Sequence, residues 1–394
     1  MDTAGLKDSW HQVAAYGDQV PLYFYSWLFV AYPETRPLFP VSMAAQRDRL
    51  VGALGHTVSN VDNVDALVPF LQGLGRDHRK FEVLAEHYPA VGAALLATLE
   101  HFLGNGWTEE LAKAWSHAYT VIAQVMCEAA KEAERLEPPW WDAEVIYREQ
   151  RTFDITVLTI RPQHAFGYLP GQSMAVETAL RPKVWRFCSP ANAPRADNSV
   201  ELHIRQLPGG MVSTALAQLV QVGDVLRLGA PVGDSLTLPA GNGLGEPERS
   251  RDLLLLAGGT GLAPLKALVE QVLQEGGSRR VSLVFGARTR RELYDLKSLG
   301  QLQQHFSRFQ VMPVVSEDPL HEGDQCSVVE AALKHGIWPE HEVYVCGSTQ
   351  MVNGTLQQLI AAGVEPERIH YEQFASYTPL STEAGTASLA GELS

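Results

Sequence analysis

The sequence predicts three consecutive domains: an all-α domain, a small antiparallel β-barrel and an α/β domain built on a parallel sheet. The length of 394 residues exceeds what one hydrophobic core usually organises. Apolar residues recur at three- and four-residue spacing up to about residue 138, which is typical of helices. After residue 138 the pattern alternates as in strands, and after residue 250 strand-like and helix-like segments follow one another.

The all-α domain is expected to span residues 1–138. One helical face is marked by the apolar stripe Val91, Ala94, Leu95, Thr98, Leu99 and Phe102. The helical pattern ends at Pro138 and Pro139, because proline lacks the backbone N–H that a helix interior requires.

The β-barrel is expected to span residues 143–245. The alternating run 152–160 predicts a strand, and the turn residues 168–172 follow it. Several short β-like runs separated by glycine and proline turns continue to about residue 240, which favours a small barrel. The glycine-rich stretch 240–250 predicts a mobile connection to the next domain.

The α/β domain is expected to span residues 250–378, with a disordered tail at 379–394. Helical segments separate five candidate strands, Leu253–Ala257, Val281–Phe285, Phe309–Val315, Glu342–Cys346 and Ile369–Phe374. Such an order implies a parallel sheet with helices on both faces.

Charge and composition exclude several classes of partner. The formal net charge of −14 argues against nucleic acid and anionic membranes, which attract basic surfaces. No apolar run reaches bilayer length, and the N-terminus lacks the order of a secretion signal. Four scattered cysteines without a CxxC pair argue against disulfides and zinc and favour a reducing cytoplasm. We expect small-molecule partners and no stable membrane association; the oligomeric state is open, and a monomer is compatible with the sequence.

One histidine of the helical region, His78, stands apart because of its neighbours. A set of residues on separate helical segments accompanies it, namely Tyr25, Phe39, Gln46, Leu50, Tyr88 and Glu132. The alternative is a solvated helix residue, since Asp77, Arg79 and Lys80 beside it are charged.

The barrel carries two motifs suited to a flavin dinucleotide. The first is the run 186–190, which reads Arg-Phe-Cys-Ser-Pro. The second is the run 209–214, Gly-Gly-Met-Val-Ser-Thr, whose glycines let the backbone approach a pyrophosphate. The turn at Gly171 and Gln172 accompanies them. Taken singly, Arg186 could be a surface ion pair and the glycine run a hairpin turn.

The α/β domain carries motifs suited to a nicotinamide nucleotide. The run 253–264 reads as a buried strand, a glycine turn and a helix start, where phosphate charge is favoured. The turn residues are Gly258, Gly259, Thr260 and Gly261. A second loop at Cys346 and Gly347 ends a strand, where ligands gather in such sheets.

Together these stretches resemble the bacterial flavohaemoglobins over nearly the whole chain. The resemblance implies a globin with haem b, a barrel with FAD and an α/β domain with NAD(P)H. It implies that His78 is the proximal iron ligand, that Phe39 packs on the haem, and that Tyr25 and Gln46 line the distal side, with Leu50 among the cofactor-binding residues. Leu50 or Arg49 is the alternative to Gln46 as the distal partner. Tyr88 and Glu132 are implied to hydrogen-bond the proximal histidine.

The same resemblance assigns the flavin and nicotinamide residues. Arg186 meets the flavin phosphate, Ser189 lies near the reactive nitrogen, and Cys188 stands where the family has a stacking tyrosine. The remaining cofactor residues are Gly171, Gln172, Gly210, Met211, Val212, Ser213, Gly258, Gly259, Thr260, Gly261, Cys346, Gly347 and Phe374. Arg288, Arg290 and Arg291 could meet the extra phosphate of NADPH or form a solvated helix start, so NADH is favoured only slightly.

The implied activity is that of a nitric oxide dioxygenase, which converts NO and O2 to nitrate with electrons passed from NAD(P)H through FAD to haem. The departures at Cys188, Ser173, Ser348, Gln373 and Ala375 lie on the flavin and nicotinamide side. They favour as an alternative a divergent flavohaemoglobin that takes electrons from another donor, for example a small hydroxy acid. A third possibility is an oxygen- or gas-binding redox sensor with a weak reductase.

Overall fold

The computed structural model describes residues 3–238, 251–318, 320, 325–336, 338 and 340–373. Two compact units make up the chain, Met1–Trp140 and Trp141–Ser394. The predicted connection 240–250, Phe374, Ala375 and the predicted tail 379–394 lie outside the described residues. The domain limits given above stay predictions. Within the described part of the chain, no helix is both long enough and apolar enough to cross a bilayer.

The first unit is helical, as the sequence predicts. Its α-helices are α1 Thr3–Ala14, α2 Gln19–Ala31, α3 Ala44–Ser59, α4 Val64–His78, α5 Tyr88–Leu103 and α6 Glu109–Glu134. The stripe on α5 faces the core, where Ala94, Leu95 and Leu99 are buried. A Cβ at Gly75 would lie 2.2 Å from the Met126 carbonyl oxygen, so this glycine lets α4 and α6 pack closely near His78.

The second unit begins with an antiparallel sheet of six strands in the order β4-β3-β6-β1-β2-β5. The strands are β1 Trp141–Gln150, β2 Ile155–Pro162, β3 Ser173–Thr178, β4 Arg186–Cys188, β5 Val200–Arg205 and β6 Val225–Val232. An isolated bridge between Pro190 and Leu202 joins the two ends of this order, so the sheet forms a nearly closed barrel. The short helix α7, Met211–Thr214, follows β5.

The strand predicted to begin at residue 152 begins at Ile155. The Thr152 hydroxyl accepts hydrogen bonds from the Asp154 and Ile155 amides at 3.3 and 3.0 Å. This local turn competes with strand pairing, as threonine side chains often do.

The second unit continues with a five-stranded parallel sheet in the order β11-β10-β7-β8-β9. The strands are β7 Leu253–Gly258, β8 Val281–Ala287, β9 Phe309–Val315, β10 Glu342–Gly347 and β11 Ile369–Gln373. The helices are α8 Leu262–Glu275, α9 Leu296–His305, α10 Val328–His335 and α11 Thr349–Ala361. Alternate residues of β7 enter different clusters, Leu255 packing with α8 and Leu256 with α10 and α11. The parallel sheet is therefore covered on both faces, as predicted.

Candidate functional site

His78 lies at the last residue of α4 and is half-buried. Its Nδ1 lies 2.7 Å from the Leu74 carbonyl oxygen. Because a carbonyl only accepts, Nδ1 carries the proton and Nε2 keeps its lone pair. Burial lowers the pKa of His78, which also favours the neutral ring. A neutral imidazole with a fixed tautomer and an unused Nε2 has the chemistry of an iron ligand.

The expected hydrogen bonds from Tyr88 and Glu132 to His78 are not formed within the described residues. Glu132 lies on α6 with an exposed side chain. The Tyr88 carbonyl accepts from the Tyr119 hydroxyl at 2.6 Å, and burial raises the pKa of Tyr88 to about 12. The backbone carbonyl of Leu74 therefore takes the orienting role that the sequence assigned to two side chains.

Tyr25 and Gln46 are brought together from α2 and α3. Gln46 Nε2 donates to the Tyr25 hydroxyl at 3.3 Å, and the Tyr25 hydroxyl lies 3.4 Å from the Gln46 carbonyl oxygen. Burial raises the pKa of Tyr25 to about 12, so the phenol stays protonated at neutral pH. Arg49, the alternative partner, is exposed. The pair thus places a protonated phenol, which donates to the Gln46 backbone carbonyl, beside the apolar core of this unit.

Phe39 extends the apolar surroundings of Tyr25. Its ring meets Tyr25 and Phe29 edge-on, each with centroids 5.4 Å apart. Leu50, one turn beyond Gln46 on α3, is half-buried and packs against the same core. These apolar groups fit a flat hydrophobic cofactor, and the imidazole of His78 fits its iron.

The flavin motif begins on strand β4, where Cys188 and Phe187 behave differently. Cys188 packs against the barrel core, and burial raises the pKa of its thiol to about 12. Phe187, its neighbour, is 42% exposed. Consecutive strand residues point to opposite faces, so Phe187 does not take the place of the missing tyrosine.

Ser189 has the strongest fit to a flavin among the predicted residues. It is only 7% exposed, and among the described residues its hydroxyl has no hydrogen-bond partner. An unpartnered buried hydroxyl costs free energy unless a ligand or water supplies the partner. Arg186 is exposed and donates to the Trp185 carbonyl at 2.8 Å.

The other predicted flavin residues form hydrogen bonds or close packing contacts within the protein itself. Gln172 accepts from the Leu169 amide at 2.8 Å and donates to the Gly233 carbonyl at 3.2 Å. Gly171 adopts a φ of +94°, and a Cβ there would lie 2.2 Å from the Leu236 carbonyl oxygen. Ser213 accepts from the Leu207 amide and donates to the Gly210 carbonyl at 3.1 and 3.2 Å.

Met211 and Val212 complete the predicted flavin set. Met211 is half exposed, whereas Val212 is buried in the barrel core. The second motif therefore shapes a turn and leaves mainly its backbone for a ligand.

The nicotinamide loop, Gly258 to Gly261, lies at the carboxyl end of β7 beside Cys346 and Gly347 of β10. A Cβ at Gly261 would lie 2.4 Å from the Cys346 carbonyl oxygen. Cβ atoms at Gly258 and Gly347 would lie 2.6 and 2.2 Å from the Met351 sulfur. Thr260, within the same loop, is half-buried. Glycine is needed here because the two loops and Met351 pack together without space for side chains.

Sequence reasoning missed three residues at this edge. Met351 fills the space left by two glycines, and Arg205 Nη1 lies 3.0 Å from where a Gly259 Cβ would be. Glu372 pairs with Cys346 across β10 and β11 and has a buried Oε2 without a partner among the described residues. The strand pattern around Glu372 could have identified it as a residue at this edge of the sheet. The contacts of Met351 and Arg205, in contrast, are visible only in the folded chain.

Three family models match consecutive parts of the chain. Residues 22–126 match the model described as Globin, residues 142–236 the Oxidoreductase FAD-binding domain and residues 255–357 the Oxidoreductase NAD-binding domain. A flavohemoprotein from Oceanobacillus iheyensis is 25% identical over 396 residues, which cover 93% of this chain and 94% of that protein. A flavohemoprotein from Vibrio cholerae is 27% identical over 388 residues, with 93% and 95% covered.

Two solved structures are similar in fold. A flavohemoglobin from Malassezia yamatoensis, solved with bound FAD and heme, has a TM-score of 0.71 at 18% identity and covers 95% of this chain and 98% of that chain. A ferredoxin reductase in carbazole 1,9a-dioxygenase has a TM-score of 0.53 at 27% identity, with 60% and 69% covered.

The helical unit, the barrel and the parallel-sheet domain thus have the order and fold of a globin, an FAD-binding domain and an NAD-binding domain. Haem, FAD and NAD(P)H are the cofactors of these three domain types. The chain is an oxidoreductase that carries electrons from NAD(P)H through FAD to haem, and it belongs to the flavohaemoglobin family.

Proposed function

We propose that this flavohaemoglobin is a nitric oxide dioxygenase, which converts NO and O2 to nitrate at the expense of NAD(P)H. The observation that carries the proposal is the hydrogen-bonded pair of buried Tyr25 and half-buried Gln46, in the same unit as His78 with its unused Nε2. A protein that only stores or relays electrons has no need for a buried O–H donor on a ligand-binding side.

The residues of the globin unit supply orientation and a proton donor. His78 would hold the haem iron through Nε2, and the hydrogen bond from its Nδ1 to the Leu74 carbonyl fixes the orientation of the ring. Tyr25 stays protonated because burial raises its pKa to about 12, and Gln46 holds its hydroxyl in place. The Tyr25 hydroxyl donates to the Gln46 backbone carbonyl at 3.4 Å, a long hydrogen bond that it can exchange for one to a small ligand, where it would stabilise developing negative charge. Haem and FAD supply the electron chemistry itself, namely a redox-active iron and the conversion of a hydride to single electrons.

The residues of the reductase unit place the flavin and the nucleotide. Ser189 offers a buried hydroxyl that has no partner among the described residues, and Arg186 offers a positive charge on the same strand face as Cys188. The packed glycine loop at Gly258–Gly261 ends at the start of α8, where backbone N–H groups favour phosphate.

A second candidate is a flavohaemoglobin that takes electrons from another donor. The half-buried Cys188 favours it, since a small thiol stands where the family stacks a tyrosine on the flavin. Without that ring the flavin is held by other contacts, and the nicotinamide meets a different surface.

Nitrate formation tests the proposal. Nitrogen loses three electrons on going from NO to nitrate and O2 takes four, so the donor supplies one electron per NO. We expect the haem- and FAD-loaded protein to form one nitrate per NO consumed and to use half as much NADH. NO consumption with no nitrate, or nitrate formed only with a donor other than NADH or NADPH, would contradict the proposal; the latter result would favour the second candidate.

A further inference from the structure

Lys266 is a buried lysine that joins the barrel to the nucleotide domain within the second unit. It lies on α8, one turn after the glycine loop, and is 3% exposed. Its Nζ lies 2.7 Å from Glu201 Oε1 and 2.9 Å from Asp295 Oδ2. Both carboxylates attract the ammonium, and the pKa of Lys266 rises despite the opposing effect of burial. The lysine is therefore a charged group held inside the protein.

The two carboxylates come from different domains. Glu201 lies on β5 of the barrel, and Asp295 lies directly before α9 of the nucleotide domain. Outside this pair, Arg151 bonds to Asp295 at 3.2 Å, and Arg195 lies 3.8 Å from Glu201 and 3.5 Å from Glu270. Every carboxylate in this set is thus matched by a cation, which makes its burial tolerable.

His203 completes the connection as a neutral ring. Its Nε2 lies 2.9 Å from the Glu201 carboxylate, which only accepts, so Nε2 carries the proton. Its Nδ1 then accepts from the Tyr294 hydroxyl at 2.7 Å, and burial raises the pKa of that hydroxyl well above its usual value. Burial lowers the pKa of His203, in agreement with a neutral ring. His203 and Tyr294 also meet edge-on, with centroids 5.2 Å apart.

Glu201, His203 and Asp295 have the composition of a metal site, with one ligand atom from each within 4.8 Å of the others. The ammonium of Lys266 already contacts both carboxylates, so it supplies the positive charge that a metal ion would bring. We therefore interpret this set as an internal ion cluster that links the barrel to the nucleotide domain. Its members are Glu201, His203, Lys266 and Asp295.

The position of Lys266 in the chain gives the cluster a consequence for the reaction. The glycine loop Gly258–Gly261 precedes α8, so anchoring Lys266 to β5 also fixes that loop relative to the barrel. We propose that Lys266 is a positioning residue for hydride transfer, holding the nucleotide loop at the distance from the barrel at which nicotinamide and flavin react. The proposal rests on the reductase activity of the second unit and not on NO as the substrate of the globin.

The physical reason is that the rate of hydride transfer falls steeply as the distance between the nicotinamide and the flavin increases. A misplacement of about 1 Å can cost on the order of 10²-fold in rate. Lys266 points at Glu201 and Asp295, so its loss changes geometry without removing a contact to the nucleotide. We therefore expect an effect on the maximal rate of flavin reduction with little effect on the half-saturating NADH concentration.

The test uses the full chain and the paired variant Lys266→Met/Asp295→Asn. Removing one cation and one anion together avoids leaving an uncompensated buried carboxylate, which by itself could unfold the protein. The matched control is Lys297→Met, an exposed lysine on α9. Flavin reduction by NADH is followed anaerobically, and amide hydrogen exchange is measured without nucleotide.

We expect flavin reduction at saturating NADH to slow by about 10- to 100-fold in the paired variant, with half-saturation changed by less than about threefold. We also expect exchange in segments 190–199 and 259–266 to become about tenfold faster while the globin helices keep their protection. Wild-type rates of flavin reduction, or unchanged exchange in those segments, would overturn the proposal. A wild-type protein that NADH does not reduce would contradict the proposed donor, and the exchange measurement would still decide whether the cluster fastens the domains.

Discussion

The residues assigned to haem and those assigned to FAD differ in what their polar atoms do. In the globin unit, His78 keeps Nε2 unused and Tyr25 stays a protonated donor. In the barrel, Gln172 and Ser213 bond to backbone groups of the protein, and Cys188 packs against the core. Ser189 is the exception, with a buried hydroxyl that no described residue satisfies. The globin site is thus built from side chains, whereas the flavin site is built mainly from backbone that side chains shape.

This difference follows from the two ligands. Haem iron is held by a side chain, in this family by an imidazole nitrogen, and not by a backbone group. A pyrophosphate is satisfied by N–H groups of a turn, and side chains contribute by holding that turn. Substitutions in the globin should therefore remove a ligand, whereas substitutions in the reductase should disturb the shape of a loop.

The largest effect is expected for His78→Ala, which should abolish stoichiometric haem binding because Nε2 is the iron ligand in this account. Haem content is measured by absorbance per chain after reconstitution. The control is His117→Ala, an exposed histidine on α6, which should bind haem normally. A His78→Ala variant with full haem content and an unchanged spectrum would refute the assignment.

Tyr25→Phe should slow NO consumption at limiting O2 by about 10- to 100-fold, since one buried hydrogen-bond donor is lost. Haem content should stay unchanged, because the ring still packs on Phe24 and Phe39. Tyr16→Phe, at an exposed tyrosine, should behave as wild type. If Tyr25→Phe consumed NO as fast as the wild type, the hydroxyl would have no role in the reaction.

Gly261→Ala should weaken NADH binding and destabilise the protein by about 2–3 kcal/mol, because the new Cβ meets backbone. The contact would be 2.4 Å to the Cys346 carbonyl oxygen. Gly300→Ala, inside α9 with nothing within 4 Å of the new Cβ, should raise stability by about 0.5–1 kcal/mol. Thermal unfolding and NADH titration measure both, and equal behaviour of the two variants would disprove the close packing of the loops.

The smallest effect is a pH dependence carried by Glu372. Burial raises the pKa of this carboxyl from 4.5 to about 7, so the folded protein holds a proton that the unfolded chain releases. Its contribution to stability is therefore full below pH 4.5 and is lost as the pH rises through about 7.

Glu372→Gln removes this dependence. Its free energy of unfolding should therefore rise by about 2 kcal/mol relative to that of the wild type as the pH goes from 5 to 8. Unfolding temperatures of both proteins across that range, with exposed Glu367→Gln as the control, measure the difference. Parallel curves for Glu372→Gln and wild type would show that Glu372 titrates normally.

Much of the architecture is predictable because hydrophobic periodicity reports burial directly. The strand Leu253–Gly258 is apolar throughout because both faces are covered, and the α5 stripe faces the core as its spacing indicates. The start of β2 was misplaced because Thr152 forms a side-chain turn that periodicity does not show. Local hydrogen bonding of this kind shifts the end of an element without changing its type.

The site was less predictable where partners are distant in sequence. The spacing of His78, Tyr25 and Gln46 identifies candidates, yet nothing in the local sequence shows that Glu132, on a different helix, stays exposed and away from His78. The cluster around Lys266 joins residues 65 positions apart in the chain. In the sequence, Lys266 is one more polar residue on a helix, and only the folded second unit brings its partners to it.

Anaerobic stopped-flow spectroscopy of the haem- and FAD-loaded protein mixed with NADH tests the central claim most directly. We predict that the flavin absorbance bleaches first and that haem reduction follows, since electrons pass from NADH through FAD to haem. A flavin that stays oxidised while NADH is in excess would contradict it. Haem reduction without prior bleaching of the flavin would contradict the order of transfer.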